Sequence, residues 1–555
     1  MTSHVLGSSR QSRSGATDED DDVASHIAAS LHSLGVTRAF GVPGEDHLRL
    51  LDAISNQGID YIAARDESAA AIMASADAET TGGLGVVIVT LAPGITNAIN
   101  GIANAYLDEL PVLVLVGQHS ADRLTTIVRQ NLDNRLIVSG VTKAAMTMGS
   151  NAAQGVIRAA AVALAAPQGP VLLEVPDSVT RRAPAPDSSR WLREPSPTTK
   201  PKSDARLDDA IIHRLEAAKR PAIIVGGSQW PTEFGAQLAA VAERLRAPLF
   251  LTPTASGLVT TENPWFAGTF LHGNPERRLL ESCDVILAID VRPAEIFNTP
   301  WSLPAGVIAL RSTPDIHHVI PVELGWVGDL SAALRELEQG EKGTSTWQVS
   351  EVEAYRVDLA RIFRSETHQF TIPTAIRIIN GLLPADGYLT VDAGFGKPIT
   401  AYLWESRRPG RYFSSHGLST MGYAVPAANA LQLRHRDATV VAFLGDGSLL
   451  MRAAEISVAA EHALPCIYVV WLDGTLSQIQ VKQRRQGLKE VGTSIPNFSC
   501  SAIAKAFGAD GYDVSTASDL KAAVSAGLAN RRQPTLVGVR VSQADRATWF
   551  EALRG

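Results

Sequence analysis

Cysteine is scarce: the 555 residues hold three, at positions 283, 466 and 500. Few, odd in number and far apart, they argue against a disulfide framework and point to a reducing, cytoplasmic compartment. No apolar run is long enough to span a bilayer. Positive charge is not in excess. The 50 Lys and Arg against 57 Asp and Glu leave −7, with no basic cluster, which sets aside nucleic acid and anionic membranes as partners. No tandem short repeat runs along the chain. The first 22 residues lack the apolar stretch of a signal peptide. They are rich in Ser, Arg, Gly and Asp, include the acidic run Asp18–Asp22, and read as a disordered, solvated tail.

What is present is one grammar used three times: a short apolar run, a turn, then a helical pattern. This predicts an α/β protein of three consecutive doubly wound parallel-sheet domains. The first spans 23–181, with strands expected at Ala39–Val42, Tyr61–Arg65, Val86–Leu91 and Val112–Val116. The second spans 204–338, with strands at Ala222–Val225, Leu249–Thr252, Val285–Ile289 and Val307–Leu310. The third spans 370–545, with strands at Leu389–Val391, Val440–Leu444, Ile467–Leu472 and Leu536–Val541. The proline-rich stretch Arg181–Lys202 reads as an exposed linker, and Gln339–Ser350 as a weaker break. The first and third blocks suit sheets of similar size.

The chemistry concentrates in the third block. One apolar strand ends in Gly445-Asp446-Gly447-Ser448, and a helix with Leu450, Ala453, Ala454 and Ile456 as its apolar face follows. The next strand ends in Asp473-Gly474-Thr475. A right-handed strand–helix–strand unit puts both strand ends on one sheet edge, where open α/β sheets bind ligands. Asp446 and Asp473 then approach each other, which is costly unless a cation sits between them. Oxygen ligands suit Mg²⁺, which also favours phosphate. The backbone N–H groups of Gly447 and Ser448, opening a helix, suit a diphosphate. Alone, the Gly-Asp-Gly-Ser run would read as a turn with Asp446 as a cap. The second strand-end acid tips the reading to a metal site.

Gly445-Asp446-Gly447 followed about thirty residues later by a strand-end ligand resembles the signature of thiamine-diphosphate-dependent enzymes, the family of acetolactate synthase, pyruvate decarboxylase and benzaldehyde lyase. The resemblance runs over nearly all of residues 23–545. It implies that thiamine diphosphate and Mg²⁺ are the cofactors, and that Asp446, Asp473 and the backbone carbonyl of Thr475 ligate the metal. The usual Asn-Asn pair is Leu472-Asp473 here; the second position is the ligand, and Asp supplies it with one extra negative charge. Gly417–Leu431 resembles the segment that carries the aminopyrimidine. There Met421 would wedge beneath the thiazolium, and the carbonyl of Ser419, where the family often has Gly, would accept from the 4′-amino group.

Tyr61–Gln118 resembles the family's pyrimidine-binding domain. Glu67 matches the Glu that bonds N1′ and drives the amino-to-imino tautomer, which requires a dry site. Glu45 lies on a loop that faces the reactive carbon in relatives. Gln118 and Gln130 sit where relatives place polar active-site residues, and Ala92-Pro93-Gly94 stands for Gly-Pro-Gly; His47 and His119 read as incidental. The central block resembles a domain that holds FAD in some members. No strong dinucleotide fingerprint is present, so FAD stays open but unfavoured.

The resemblance implies attack on a 2-oxo acid or aldehyde and loss of CO₂, then either release of an aldehyde or ligation to a second carbonyl. Simple decarboxylases of the family carry a His pair in the first block and a Glu after the metal turn. No adjacent His pair is expected anywhere in the chain, and the Glu position matches Ile479. The expectation is a decarboxylating carboligase resembling acetolactate synthase. The alternatives are a lyase or decarboxylase resembling benzaldehyde lyase or benzoylformate decarboxylase, and a non-catalytic regulatory relative. A homodimer or homotetramer is also implied, with Glu67 completing a partner's site.

Overall fold

The computed structural model describes residues 22–120, 122–180, 182–183, 206–297, 299–314, 317–365 and 369–554. Residues 1–21 of the expected tail and nearly all of the Arg181–Lys202 linker lie outside the described residues; Asp22, the last of that tail, is buried and caps the helix Val23–Ser33 by accepting from the Ser25 N–H at 2.9 Å.

The first sheet holds β1 (Arg38–Gly41), β2 (Asp60–Ala63), β3 (Gly85–Val89), β4 (Val112–Gln118), β5 (Ala144–Thr147) and β6 (Val171–Pro176). The second holds β7 (Pro221–Val225), β8 (Leu249–Leu251), β9 (Phe266–Thr269), β10 (Val285–Ile289), β11 (Gly306–Arg311) and β12 (Val322–Val327). The third holds β13 (Tyr388–Val391), β14 (Tyr412–Ser414), β15 (Val440–Gly445), β16 (Ile467–Leu472), β17 (Asp510–Val514) and β18 (Thr535–Arg540). Their orders are β2-β1-β3-β4-β6-β5, β12-β11-β10-β7-β8-β9 and β14-β13-β15-β16-β18-β17. Every pairing within them is parallel.

The first and third sheets have one and the same topology. In each, the strand order reverses between the sheet's first and third strands, and ligands of open α/β sheets sit at the C-terminal ends beside such a reversal. The middle sheet has the strand order of dinucleotide-binding domains, yet its first turn, Gly226-Gly227, carries no phosphate-binding fingerprint.

The helix Glu67–Thr81 explains how the outer domains join. Asp66 caps it by accepting from the Ala69 N–H at 3.1 Å, and Gly82 at φ 66° ends it. Its small side chains let the helix Pro93–Leu107 lie close on one flank and the helix Ala424–Arg434 of the third domain on another. All three contribute to one apolar core. Gly101 is where the first pair nearly touches: a Cβ there would lie 2.4 Å from the Ser68 carbonyl oxygen and 2.6 Å from the Ala71 Cβ. Gly101→Ala should cost about 1–3 kcal/mol by forcing these helices apart, read as a lower Tm.

The Gln339–Ser350 break joins the helices Leu330–Gln339 and Val349–Ile362 and is mostly exposed, but it is pinned by Trp347, which is 1% exposed and whose Nε1–H donates to the Pro221 carbonyl at 2.9 Å. One expectation is corrected. Leu450 is exposed rather than on the apolar face; Leu449 is buried instead. The helix stops at Arg452 and resumes at Ile456, because the intervening turn sends Glu455 to accept from the Arg65 N–H at 2.9 Å. The three cysteines are free and buried, and no described helix is long and apolar enough to cross a membrane.

Candidate active site

β15 and β16 are neighbours, with Gly445 opposite Trp471, so Asp446 and Asp473 leave the same sheet edge side by side. Asp446 Oδ1 accepts from the Gly447 N–H and Oδ2 from the Gly474 N–H, both at 2.8 Å. Asp473 Oδ1 accepts from the Thr475 N–H at 3.2 Å and Oδ2 from the Ser477 hydroxyl at 2.6 Å. Arg546 Nη2 lies 2.7 Å from the same Oδ2. Burial, then the charge of Asp473, pushes the Asp446 carboxyl up to about 6. Burial also raises Asp473, against the pull of Arg546.

Two neighbouring buried acids, the charge of one raising the proton affinity of the other, make a place for a cation. No group of three or more His, Cys, Asp and Glu gathers as a metal cage among the described residues. The two acids would therefore need further oxygens, and a hard octahedral ion that keeps water and phosphate as ligands fits them. The Thr475 carbonyl accepts from the Ser477 N–H at 2.8 Å, with the Ser477 hydroxyl 3.3 Å away.

The Ser419–Met421 loop stands beside this turn. Ser419 has φ 51°, a left-handed conformation that favours Gly, matching the residue the family often places there. A Cβ on Gly447 would lie 2.9 Å from Leu476 Cδ2 and 3.1 Å from Met421 Cε, so glycine lets Met421 reach the metal turn. The backbone of Ser448 opens the helix as expected. Its hydroxyl, however, donates to Asp392 Oδ1 at 2.7 Å.

Asp392 was not singled out from the sequence. It follows β13, on the other side of the order reversal, and also accepts from the N–H groups of Gly422 and Ala424 at 2.9 Å. Burial pushes its pKa up to about 6, against those donors. It ties the Met421 loop to the Asp446 helix. Asp392→Ala orphans three donors at about 1–3 kcal/mol each. The expected result is a lower Tm together with weaker thiamine diphosphate binding by calorimetry. Asp108 is a second missed anchor. It accepts from the His416 and Gly417 N–H groups at 3.2 and 2.6 Å, holding the same loop from the first domain. Neither acid lies in a motif; each is recognisable only by the distant backbone it holds.

A cavity of about 970 Å³ opens here. Its wall includes Ser419, Met421, Gly445, Asp446, Gly447, Ser448, Asp473 and Thr475, so every expected cofactor-binding residue borders one space. That volume suits a cofactor-sized ligand. Leu476, Ile479, Phe395 and Trp471 add apolar surface, while Lys397 and His416 bring nitrogen. Burial lowers Lys397 to about 8; burial, then Lys397 and Arg292, lowers His416 well below its usual range.

Glu67, Glu45 and Gln118 do not line this cavity. They lie along the C-terminal edge of the first sheet. Glu67 is 7% exposed and its Oε2 accepts from Asn97 Nδ2 at 3.0 Å. Glu45 is exposed on the turn after β1, while its neighbour Asp46 is fixed at the order reversal by the Leu91 N–H at 3.0 Å. Gln118 is buried and spent: its amide reaches Glu174 at 3.2 Å and the His119 N–H at 2.8 Å. Gln130 is exposed, and His47 shapes its own turn by accepting from the Gly44 N–H at 2.9 Å.

The expected absence of a His pair is corrected: His317-His318 is adjacent, in the central block, and His317 borders the cavity with Glu109 3.3 Å away.

Models of three thiamine pyrophosphate enzyme domains match the chain: the N-terminal TPP binding domain over 21–137, the central domain over 209–337 and the C-terminal TPP binding domain over 392–539. The acetolactate synthase isozyme 3 large subunit of Escherichia coli is 28% identical, covering 94% of each chain. The acetolactate synthase of Bacillus subtilis is 27% identical, covering 92% of this chain and 91% of its own. A probable 2-ketoarginine decarboxylase of Pseudomonas aeruginosa is 28% identical over 86% of this chain and 87% of its own. In fold, the chain is similar to the thiamine diphosphate-dependent 4-hydroxybenzoylformate decarboxylase of Rhodococcus jostii RHA1, with a TM-score of 0.81 and 21% identity over 94% of this chain and 100% of that one. With its two outer domains and its central one each matched in order, this chain belongs to the thiamine pyrophosphate enzyme family and is an enzyme of the carboligase and decarboxylase kind.

Proposed function

We propose that the protein is a thiamine-diphosphate- and Mg²⁺-dependent carboligase that decarboxylates a 2-oxo acid and joins the remaining fragment to a second carbonyl compound. The observation that carries this reading is the meeting of Asp446 and Asp473 at the C-terminal ends of the neighbouring strands β15 and β16, with Met421 beside them on one cavity wall. Thiamine diphosphate, when bound, supplies the carbon nucleophile and the electron sink. Asp446, Asp473 and the Thr475 carbonyl hold Mg²⁺, and the Gly447–Ser448 backbone holds phosphate. Met421 and Leu476 shape and dry the space above the metal turn. Glu67 holds a proton at N1′ of the aminopyrimidine.

Glu67 lies outside the cavity of its own chain, so this reading has a second chain bring it, in a homodimer or a larger homo-oligomer. Asn97, which donates to it, is exposed, and so are the large apolar side chains Tyr106, Leu107, Leu450 and Met451. Flavin has no assigned role here. In the central domain Asp290 is committed to Ser312 at 2.6 Å, and Glu295 to Thr252 and Thr254.

Ile479 favours ligation over aldehyde release, since an apolar side chain borders the cavity where relatives that release aldehyde carry Glu. With thiamine diphosphate, Mg²⁺ and pyruvate, the expected product is an acetolactate-type hydroxy-oxo acid, identified by mass spectrometry. Acetaldehyde as the sole product overturns this preference. Ile479→Glu should shift the ratio of aldehyde to ligated product upward by about 10²-fold, the low end of what a positioned acid contributes. A second reading, an aromatic 2-oxo acid decarboxylase, draws on Phe297, Phe395 and Tyr412 in the cavity wall. Turnover of benzoylformate in preference to pyruvate would select it.

A further inference from the structure

Asp473 stands where the resemblance expects Asn, and so it brings an additional negative charge into a buried site. The chain answers that charge from outside the matched family segment, which ends at 539. Arg546 opens the last helix, Arg546–Arg554, and is 4% exposed, with Nη2 2.7 Å from Asp473 Oδ2. It cannot easily leave, because Trp549 and Leu553 of the same helix are 1% and 3% exposed. The approach to that helix is clamped to the same residue: Gln543 Nε2 donates to the Asp473 carbonyl at 2.7 Å.

We infer that Arg546 is the fixed counter-ion of Asp473, and that it makes this metal site demand an acid at the position where relatives use Asn. The inference rests on the proposed role of Asp446 and Asp473 as Mg²⁺ ligands. The two Asp473 oxygens divide their work. Oδ2 accepts from the Ser477 hydroxyl and pairs by charge with the guanidinium, whose Nη2 is close but lacks hydrogen-bond geometry. Oδ1 takes one backbone N–H and keeps a lone pair for a metal. Asp446 and Asp473 border the cavity and Arg546 does not, so the guanidinium does not stand in the cation's place. With Asp473 paired, the ligand set carries the net charge of the Asp-plus-Asn set it resembles.

Asn at 473 would turn an NH₂ group either onto the Ser477 hydroxyl and the guanidinium or onto the metal. It would also leave a buried guanidinium unpaired beside Mg²⁺. Removing one partner of a buried ion pair is damaging, whereas replacing both by neutral groups is tolerated. The substitution that restores the family residue should therefore harm this protein, and removing Arg546 should repair the harm.

The test is a double-mutant cycle on the full-length protein: wild type, Asp473→Asn, Arg546→Met and the double variant, with Arg546→Lys as the charge-keeping control. Calorimetric titration of Mg²⁺ with thiamine diphosphate present and the Tm without cofactor are both read. Asp473→Asn is expected to weaken Mg²⁺-dependent binding at least tenfold, and the double variant to return within threefold of wild type. Arg546→Met alone is expected to lower the cofactor-free Tm and regain it with Mg²⁺; Arg546→Lys is expected to hold both. Wild-type binding by Asp473→Asn, or a double variant no better than that single, overturns the inference. If Asp473→Asn does not fold, recovery of folded protein in the double variant supports the pairing and failure to recover overturns it. If wild type binds no thiamine diphosphate with Mg²⁺, the site reading fails instead, and the cofactor-free Tm cycle still decides whether the two residues are coupled.

Discussion

Glu67→Gln is expected to lower kcat by about 10²–10⁴-fold, the range that a positioned acid or base contributes, with little change in Tm. The substitution keeps the shape of a buried side chain that begins a helix and touches Asn97. What it removes is the carboxyl that would hold and share a proton at N1′. Because this role is assigned across a subunit boundary, it can be checked without relying on one variant. Glu67→Gln and Asp446→Ala, each inactive alone, should regain activity when co-expressed. A mixed dimer has one site carrying both substitutions and one carrying neither. Activity within threefold of wild type for Glu67→Gln, or no complementation, would count against the proposed assembly.

The second large effect is expected at the metal turn. Asp446→Ala should weaken Mg²⁺-dependent thiamine diphosphate binding about 100-fold or more, since loss of even an outer partner of a metal ligand costs 10–100-fold. Without cofactor two effects oppose: the change removes a carboxylate that burial and the charge of Asp473 disfavour, and it orphans the Gly447 and Gly474 N–H groups. The Tm loss should therefore be much larger with Mg²⁺ and thiamine diphosphate than without them, which distinguishes a ligand from a structural acid. Unchanged binding would remove the central support of the proposed function.

Interior strands were easy to read. β3, β4, β7, β10, β15 and β16 are buried on both faces, and a strand buried on both faces shows as an unbroken apolar run. The strands not foreseen are mostly edges: β5, β9, β12, β14 and β17 each close one side of a sheet, and all but the short, buried β14 carry partly exposed residues that break up the run. β12, Val-Glu-Leu-Gly-Trp-Val, is the plainest case. The interior β6 also escaped notice, and Glu174 interrupts its apolar run.

The site divides in the same way. Gly445-Asp446-Gly447 and Asp473 were legible because strand–helix–strand chirality alone places two strand ends together. Glu67 and Met421 were legible through resemblance. Asp392, Asp108 and Arg546 were not, since each works through partners 30, 308 and 73 residues away.

The sequence by itself determined the sheet count, the parallel order within each unit, and the edge on which two acids and a helix start must converge; these follow from local pattern and handedness. Only the tertiary structure decided that Asp392 and Asp108 anchor the Met421 loop, that Glu67 stands apart from its own chain's cavity, and that Arg546 closes behind Asp473. Such pairings depend on how separate elements dock, and burial, which makes them energetically decisive, exists only after the domains have packed.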